Sequence, residues 1–197
     1  GGGGRSTKFL TVCTDLGSAS KSWFNAYADR IVVPTPVLRE KAIRMCREEV
    51  AEYDEERVSM VGLPVRPAFR PEGSKENYKK KVGVEEGKMV LVVGGGDGMG
   101  PIVEIAASIE ASLPPDTSVV VICGSNSDAQ SRISSTCGDK VKAVGYVENM
   151  PEYMNAADLL VSKAGPGTIA EAAVCGLPTL LYDFLPGQEE GNVDFVT

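Results

Sequence analysis

"DLLVSKAGPGTIAEAAVCGLPTLLYDF", residues 158–184, holds two short apolar runs on either side of a stretch with apolar residues at helical spacing. The turn Gly-Pro-Gly ends the first run and opens the helical stretch. This order is typical of a strand–helix–strand unit. Strands joined through a helix run parallel, and parallel strands are usually buried on both faces. The stretch therefore predicts an α/β fold built on a parallel sheet.

The same alternation extends along most of the chain. Apolar, β-rich runs predict strands in the segments 8–14, 30–35, 57–62, 89–96, 118–125 and 141–147. Helical spacing predicts helices over 36–49, 101–113, 128–136, 151–156 and 168–175. Strands separated by helices in this way indicate Rossmann-like parallel sheets, whose ligands gather at the carboxyl ends of the strands.

A proline-rich segment, "LPVRPAFRPEG" at 63–73, interrupts the pattern. Proline fixes φ and lacks an N–H group, so this segment reads as a stiff connector. We predict a partial N-terminal domain over 1–62, a linker over 63–73, and a C-terminal domain over 74–197 that is truncated at its end.

Composition excludes several classes of function. The net charge of −7 in 197 residues argues against a nucleic-acid partner. No run is long and apolar enough for a membrane span. The five cysteines form no Cys-x-x-Cys pair and there is no histidine, which argues against a zinc site, a disulfide framework or a Cys–His nucleophile. We expect no metal and no cofactor. A general base must be Asp, Glu, Lys or Tyr, or must lie outside this chain.

The first glycine-rich loop is "GGGDGMGP", residues 94–101, between a predicted strand and a helix. Glycines allow close approach of a ligand, and a helix N-terminus attracts anions, so the loop suits a diphosphate. Its spacing matches neither the dinucleotide fingerprint nor a P-loop. The alternative is a turn whose glycines serve only tight packing.

The second loop, "GPGT" at 165–168, precedes Glu171. Thr168 is a predicted N-cap, so Glu171 three residues later is either the partner of a capping box or a carboxylate that accepts hydrogen bonds from a ribose diol. The third loop, "FLPGQEEGN" at 184–192, presents Gln188, Glu189 and Asn192. Amide and carboxylate groups suit the hydroxyls of a sugar, and the alternative is a solvated surface loop.

Five segments carry a family resemblance. In order and spacing, "GLPVRPAF", "GGGDGMGP", "GYVENM", "SKAGPGTIAEA" and "PGQEEGN" resemble the monogalactosyldiacylglycerol (MGDG) synthases. These are plastid GT-B glycosyltransferases of family 28, related to bacterial MurG. The resemblance implies transfer of galactose from UDP-galactose to 1,2-diacylglycerol with inversion at the anomeric carbon. It implies that 1–62 is part of the acceptor-side domain and that 74–197 is the UDP-sugar-binding domain. It also implies a plastid envelope location with peripheral membrane association, although the chain contains no recognisable targeting segment.

The resemblance also implies roles for single residues. The diphosphate would meet Gly95, Gly96, Asp97, Gly98 and Arg66. The backbone of Tyr146 and Val147 would recognise uracil. The phosphate side would be lined by Gly165, Pro166, Gly167 and Thr168, while Glu171 would hold the ribose. The hexose hydroxyls would meet Gln188 and Glu189, with Asn192 as a further donor-binding residue.

The catalytic base is not identified. Plant-type members carry two histidines where this chain has Ser20 and Asn25, and their histidine-containing acceptor loop has no counterpart here. Asp15 is a candidate for a supporting acceptor-side role, and its alternative is an aspartate that caps the turn after a strand. We expect the chain to be a fragment that lacks the base.

Two other functions stay open. One is a UDP-sugar-binding subunit or fragment without activity of its own. The other is a sugar-nucleotide 2-epimerase, or a UDP-sugar transferase with another acceptor, on the same fold.

Overall fold

The computed structural model describes residues 7–84, 87–94 and 101–197. Contacts between Cα atoms divide the chain into two compact units, Gly1–Pro64 with Leu185–Thr197 and Val65–Phe184. We call them the first and the second unit. The domain division predicted from the sequence differs in placing residues 185–197 with the second domain, and it stays a prediction.

The first unit contains a three-stranded parallel sheet in the order β1-β2-β3. The strands are β1 (Leu10–Val12), β2 (Arg30–Val33) and β3 (Val58–Met60). Helix α1 (Pro36–Glu49) connects β2 to β3. The last helix of the chain, here numbered α7 (Glu190–Val196), also belongs to this unit.

Helix α1 begins and ends where the sequence predicts. The side chain of Thr35 caps it by accepting a hydrogen bond from the Leu38 N–H, and Pro36 occupies the first turn. One face of the helix carries Leu38, Ala42, Ile43 and Cys46, all buried in the core of this unit.

The second unit contains a five-stranded parallel sheet in the order β6-β5-β4-β7-β8. Its strands are β4 (Lys88–Val93), β5 (Thr117–Ile122), β6 (Val141–Val144), β7 (Leu159–Lys163) and β8 (Thr179–Asp183). Its helices are α2 (Lys75–Val82), α3 (Ile102–Ser112), α4 (Ser127–Thr136), α5 (Met150–Ala156) and α6 (Pro166–Val174). The predicted parallel α/β architecture is confirmed.

The two faces of this sheet bury separate cores, because successive side chains of a strand point to opposite faces. Met89 and Leu91 of β4 pack in the core that includes residues of α2, α5 and α6. Val90 and Val92 of the same strand pack in the core that includes residues of α3 and α4.

Candidate donor site

The predicted loops of the second unit follow the carboxyl ends of parallel strands of one sheet. The loop that starts at Gly94 follows β4, Gly145 follows β6 and Ala164 follows β7. Strands β4 and β7 are adjacent in the sheet. Because parallel strands end at one edge, the described residues that follow them, Gly94, Gly145 and Ala164, lie on the same side of the sheet, as expected for a ligand site in an open α/β sheet.

Helix α6 starts earlier than predicted. Its N-cap is Gly165, Pro166 occupies the first turn, and no side chain caps the helix. The prediction of Thr168 as the N-cap is therefore wrong, since proline's fixed φ and missing N–H favour the first helical position two residues upstream. The N–H groups of Gly167 and Thr168 lie in the first turn, where a helix offers them no acceptor of its own. They suit a phosphate oxygen.

Glu171 consequently lies well inside α6, and the capping-box interpretation is excluded because Thr168 is not the N-cap. Its side chain is half-buried. Burial raises the pKa of the Glu171 carboxyl, and the positive charge of Arg66 opposes that shift only in part. Within the described part of the chain, no side chain or backbone group donates a hydrogen bond to this carboxylate. A partly desolvated carboxylate without donors is suited to accept them from a ligand hydroxyl.

Arg66 reaches the neighbourhood of Glu171 because the connector is anchored beside it. Phe69 is fully buried, and its carbonyl oxygen accepts hydrogen bonds from Asn155 Nδ2 and Cys175 Sγ, both at 3.2 Å. The guanidinium carbon of Arg66 lies 5.1 Å from the centre of the Phe69 ring. The exposed Arg66 is thus held by a cation–π contact while its charge still acts on Glu171.

Cys175, one turn after Glu171, is not a reactive thiol. Burial and the negative charge of Glu171 raise the pKa of the Cys175 thiol to about 11. The thiol stays protonated at neutral pH and donates to Phe69, so its contribution is structural.

Tyr146 and Val147 follow β6 in an open segment. The Tyr146 side chain is 77% exposed, whereas Val147 packs against the core. No backbone hydrogen bond among the described residues uses the N–H or C=O of either residue. The segment therefore has main-chain donors and acceptors available for a ligand, and the uracil contact stays a prediction.

The diphosphate loop itself, Gly95, Gly96, Asp97 and Gly98, lies outside the described residues. Its predicted role stays a prediction. The preceding Gly94 ends the strand with a hydrogen bond from its N–H to the Ile122 carbonyl oxygen at 3.5 Å.

From Leu185 onwards the predicted sugar loop belongs to the first unit, whereas Glu171 belongs to the second. Gln188 is exposed. Glu189 folds back on its own loop, where Oε2 accepts from the Leu185 N–H at 2.8 Å. Asn192 is fully buried, and its Oδ1 accepts from the Leu16 N–H at 3.1 Å. Gln188 has the exposed amide that a hexose hydroxyl requires, whereas the described contact of Asn192 is with the scaffold.

Asp15 caps a turn. Its Oδ1 accepts from the N–H groups of Leu16, Gly17 and Ser18 at 2.7, 3.3 and 3.4 Å, and the residue is 9% exposed. Asp15 therefore has the contacts of a strand-end aspartate that caps the turn after it, which was the alternative to an acceptor-side role. The carboxylate holds the turn in place.

Two cavities of the second unit are lined by residues other than Gly165–Thr168. An apolar groove of about 420 Å³ lies between α3 and strands β4, β7 and β8. A polar cleft of about 370 Å³ is lined by Arg66, Arg70, Lys81, Glu148 and Glu152 among others.

Over the described ranges, no group of three or more acidic, cysteine or histidine side chains could hold a metal ion. None of the described helices is long and apolar enough to cross a bilayer.

Comparison with known proteins decides the family. The profile of the glycosyltransferase family 28 C-terminal domain matches residues 89–189, more than half of the chain. The chain belongs to glycosyltransferase family 28. The sequence resemblance to this family is thereby confirmed.

Curated relatives of this family 28 chain are MGDG synthases. The probable chloroplastic MGDG synthase of Glycine max is 38% identical across 95% of this chain and 36% of that protein. Chloroplastic MGDG synthase 3 of Arabidopsis thaliana is 38% identical across 95% of this chain and 41% of that protein. The family 28 chain thus spans between 36% and 41% of the length of these relatives.

Solved structures agree on the fold. Acinetobacter baumannii MurG superposes with a TM-score of 0.62 at 15% identity, covering 96% of this chain and 50% of that one. Anabaena HepE, in complex with UDP and glucose, superposes with a TM-score of 0.53 at 15% identity, covering 96% and 61% of the two chains. At such identities the likeness shows the fold alone, which is that of the GT-B glycosyltransferases.

Sequence reasoning missed two parts of the site of this family 28 chain. It did not identify Phe69 as the anchor of the Arg66 segment, although phenylalanine is among the residues most often buried. It also did not connect Asn192 with the turn at Leu16, because the two residues are 176 positions apart.

Proposed function

We propose that the full-length protein transfers galactose from UDP-galactose to the free hydroxyl of 1,2-diacylglycerol, with inversion at the anomeric carbon, and that this chain carries the donor site. Support comes from the 38% identity to MGDG synthases along 95% of the chain. The observation that carries the assignment of the donor site is Glu171, a half-buried carboxylate behind the open N-terminus of α6 with Arg66 as its cationic neighbour.

Each part of a uridine diphosphate sugar has a counterpart in this assignment. Glu171 accepts from the ribose hydroxyls, and the backbone of Tyr146 and Val147 pairs with uracil. The α6 N-terminus and Arg66 face the diphosphate. As UDP leaves, negative charge develops on its phosphate oxygens, and fixed dipoles and a cation stabilise that charge. The loop at 95–98 is assigned to the same diphosphate.

We assign the hexose hydroxyls to Gln188 and Glu189. The proposed reaction requires no metal or cofactor. In this proposal the proton of the acceptor hydroxyl is taken by a base other than Asp15, because the Asp15 carboxylate is engaged with its own turn.

We further propose that the protein works in the plastid at the surface of the envelope membrane. The curated relatives are named chloroplastic. Trp23 is 47% exposed, whereas its neighbour Phe24 is buried in the first core. An exposed indole is suited to the interface between a bilayer and water, where a diacylglycerol acceptor would be reached.

A direct test uses the full-length protein with diacylglycerol in mixed micelles and UDP-galactose or UDP-glucose as the donor. The expected result is formation of the galactolipid and release of UDP, with galactose preferred. Formation of an epimerised nucleotide sugar without an acceptor would point to the 2-epimerase alternative. Donor binding without transfer would point to a binding subunit.

Binding alone tests the donor assignment. In titration calorimetry we expect UDP and UDP-galactose to bind, and ADP to bind more weakly because the backbone at Tyr146 and Val147 would have to accept a purine. Equal affinities for ADP and UDP would contradict the uracil assignment.

A further inference from the structure

The first unit brings two loops from opposite ends of the sequence into direct contact. The Leu16 N–H donates to Asn192 Oδ1 at 3.1 Å, and the Gly191 N–H donates to Ser18 Oγ at 2.6 Å. Asn192 has no solvent exposure. A buried carboxamide bonded to main chain on another segment fixes the relative position of the two segments.

The contact depends on two glycines. A Cβ atom built on Gly17 would lie 2.5 Å from the carbonyl oxygen of Gly191, and a Cβ on Gly191 would lie 2.6 Å from Cα of Gly17. Neither glycine has a positive φ. Glycine is therefore required at both positions for space between two backbones, not for backbone conformation.

The turn that receives the loop is ordered independently of it. Asp15 accepts three backbone N–H groups of the turn, and Thr35 Oγ1 donates to the Leu16 carbonyl oxygen at 2.9 Å. Thr35 is also the N-cap of α1. The turn at Asp15–Ser18 is thus connected to the start of a helix. It provides an ordered surface on which residues Gly191 and Asn192 pack.

We infer that Asn192, with the Gly17–Gly191 contact, is a positioning residue that seats the sugar loop on the Asp15–Ser18 turn and so sets where Gln188 and Glu189 meet the hexose. This inference rests on the proposed function, which assigns those two side chains to the hexose. Asn192 acts on the hexose through the loop. The same contact makes the Asp15–Ser18 turn a determinant of donor recognition.

Kinetics of the full-length protein test the inference. Asn192→Leu keeps the volume but removes one of the two acceptors of the Leu16 N–H, namely the one that lies on the other segment. We expect the KM for UDP-galactose to rise about tenfold, the scale set by one lost buried hydrogen bond. Inhibition by UDP, which has no hexose, should be unchanged. Asn192→Asp keeps an acceptor oxygen but buries a carboxyl group, so it should restore only part of the loss. Asp194→Asn, an exposed change in the same helix, is the matched control and should leave the kinetics unaltered.

Variants on the facing turn separate positioning from direct sugar contact. Ser18→Ala and Gly17→Ala lie outside the assigned donor residues, and both should raise the same KM. Combining Gly17→Ala with Asn192→Leu should give less than the product of the single effects, because both disturb one contact. Wild-type kinetics in both Asn192→Leu and Ser18→Ala, in an active protein, would overturn the inference.

A second measurement keeps the inference testable if the proposed function fails. Absence of any transfer by the wild-type protein would refute the function. Amide hydrogen exchange at residues 15–18 would then decide the docking. Faster exchange in Asn192→Leu than in Asp194→Asn supports a seated loop, and equal exchange contradicts it.

Discussion

The N–H of Leu16 and the carboxamide oxygen of Asn192 are hydrogen-bonded at 3.1 Å, although 176 positions separate them in the chain. The bond joins the turn after β1 to α7 inside one compact unit. Through it, a turn near the beginning of the chain supports the loop that carries Gln188 and Glu189. Donor recognition is therefore expected to respond to changes in both segments.

Glu171→Gln should separate binding from stability. Replacing the carboxylate removes charge-assisted hydrogen bonds to the ribose, typically about 1.5 to 3 kcal/mol, so UDP affinity should fall about 10- to 100-fold. Because burial raises the pKa of Glu171, ionisation opposes folding as the pH rises from its ordinary pKa of 4.5 through the folded value. The variant should therefore be at least as stable as the wild type at pH 7.

Titration calorimetry with UDP and urea unfolding measure the two effects of Glu171→Gln. Glu104→Gln, on the exposed face of α3, is the control for loss of one negative charge. Unchanged UDP affinity in Glu171→Gln would remove this residue from the donor site.

Gly167→Ala should weaken UDP binding without lowering the stability of the fold. A Cβ at this position meets no atom within 4 Å, and alanine favours a helix over glycine by about 1 kcal/mol. Stability should stay equal or rise by up to that amount. UDP affinity should fall, because the new methyl group would occupy the space assigned to a phosphate.

Gly176→Ala is the matched control for Gly167→Ala. Gly176 also has open space, but its φ of +61° disfavours alanine. This variant should lose about 1 to 2 kcal/mol of stability and keep its UDP affinity. The opposite pattern in the two variants would show that the phosphate side is misassigned.

The hydrogen bonds of the Asp158 carboxylate should make the stability of the protein fall at acid pH. Burial opposes its ionisation, but hydrogen bonds from Lys79, the Met89 N–H and Lys75 together lower the pKa of Asp158 from 3.8 to about 2. This stabilisation is present above the unfolded pKa and is lost as the pH falls through 4 towards 2. In Asp158→Asn, the free energy of unfolding should drop by about 1 to 2 kcal/mol at pH 6, with a smaller difference at pH 3.

Urea unfolding at several pH values measures the effect of Asp158→Asn. The exposed Asp128, whose side chain is 83% accessible, supplies the control Asp128→Asn. A stability difference between Asp158→Asn and the wild type that is independent of pH would contradict the assigned network.

Phe69→Ala should destabilise the protein and release the segment that carries Arg66. The ring is fully buried in the core shared with α2 and α5, and removing it should cost about 3 to 5 kcal/mol. Phe69→Leu keeps most of the volume and should cost less than about 1.5 kcal/mol. Both should weaken UDP binding in the remaining folded protein, because Arg66 loses its ring contact. Wild-type stability in both variants would show that the connector is not anchored there.

The sequence alone determined the local elements. Thr35, Pro36 and the apolar spacing after them define α1 from end to end, because capping and periodicity are local chemistry. The continuous apolar strands likewise indicated parallel sheets with loops at the carboxyl ends. The start of α6 went wrong by two residues, since Thr168 and Pro166 are both local start signals and the chain follows the proline.

The tertiary structure decided which distant groups meet. It set Arg66 close enough to act on Glu171, buried Asn192 against Leu16, and grouped residues 185–197 with the first unit. None of these relations follows from spacing, since each joins segments far apart in the chain. Periodicity and capping act within a few residues, whereas a shared environment arises only once the sheets and helices have packed.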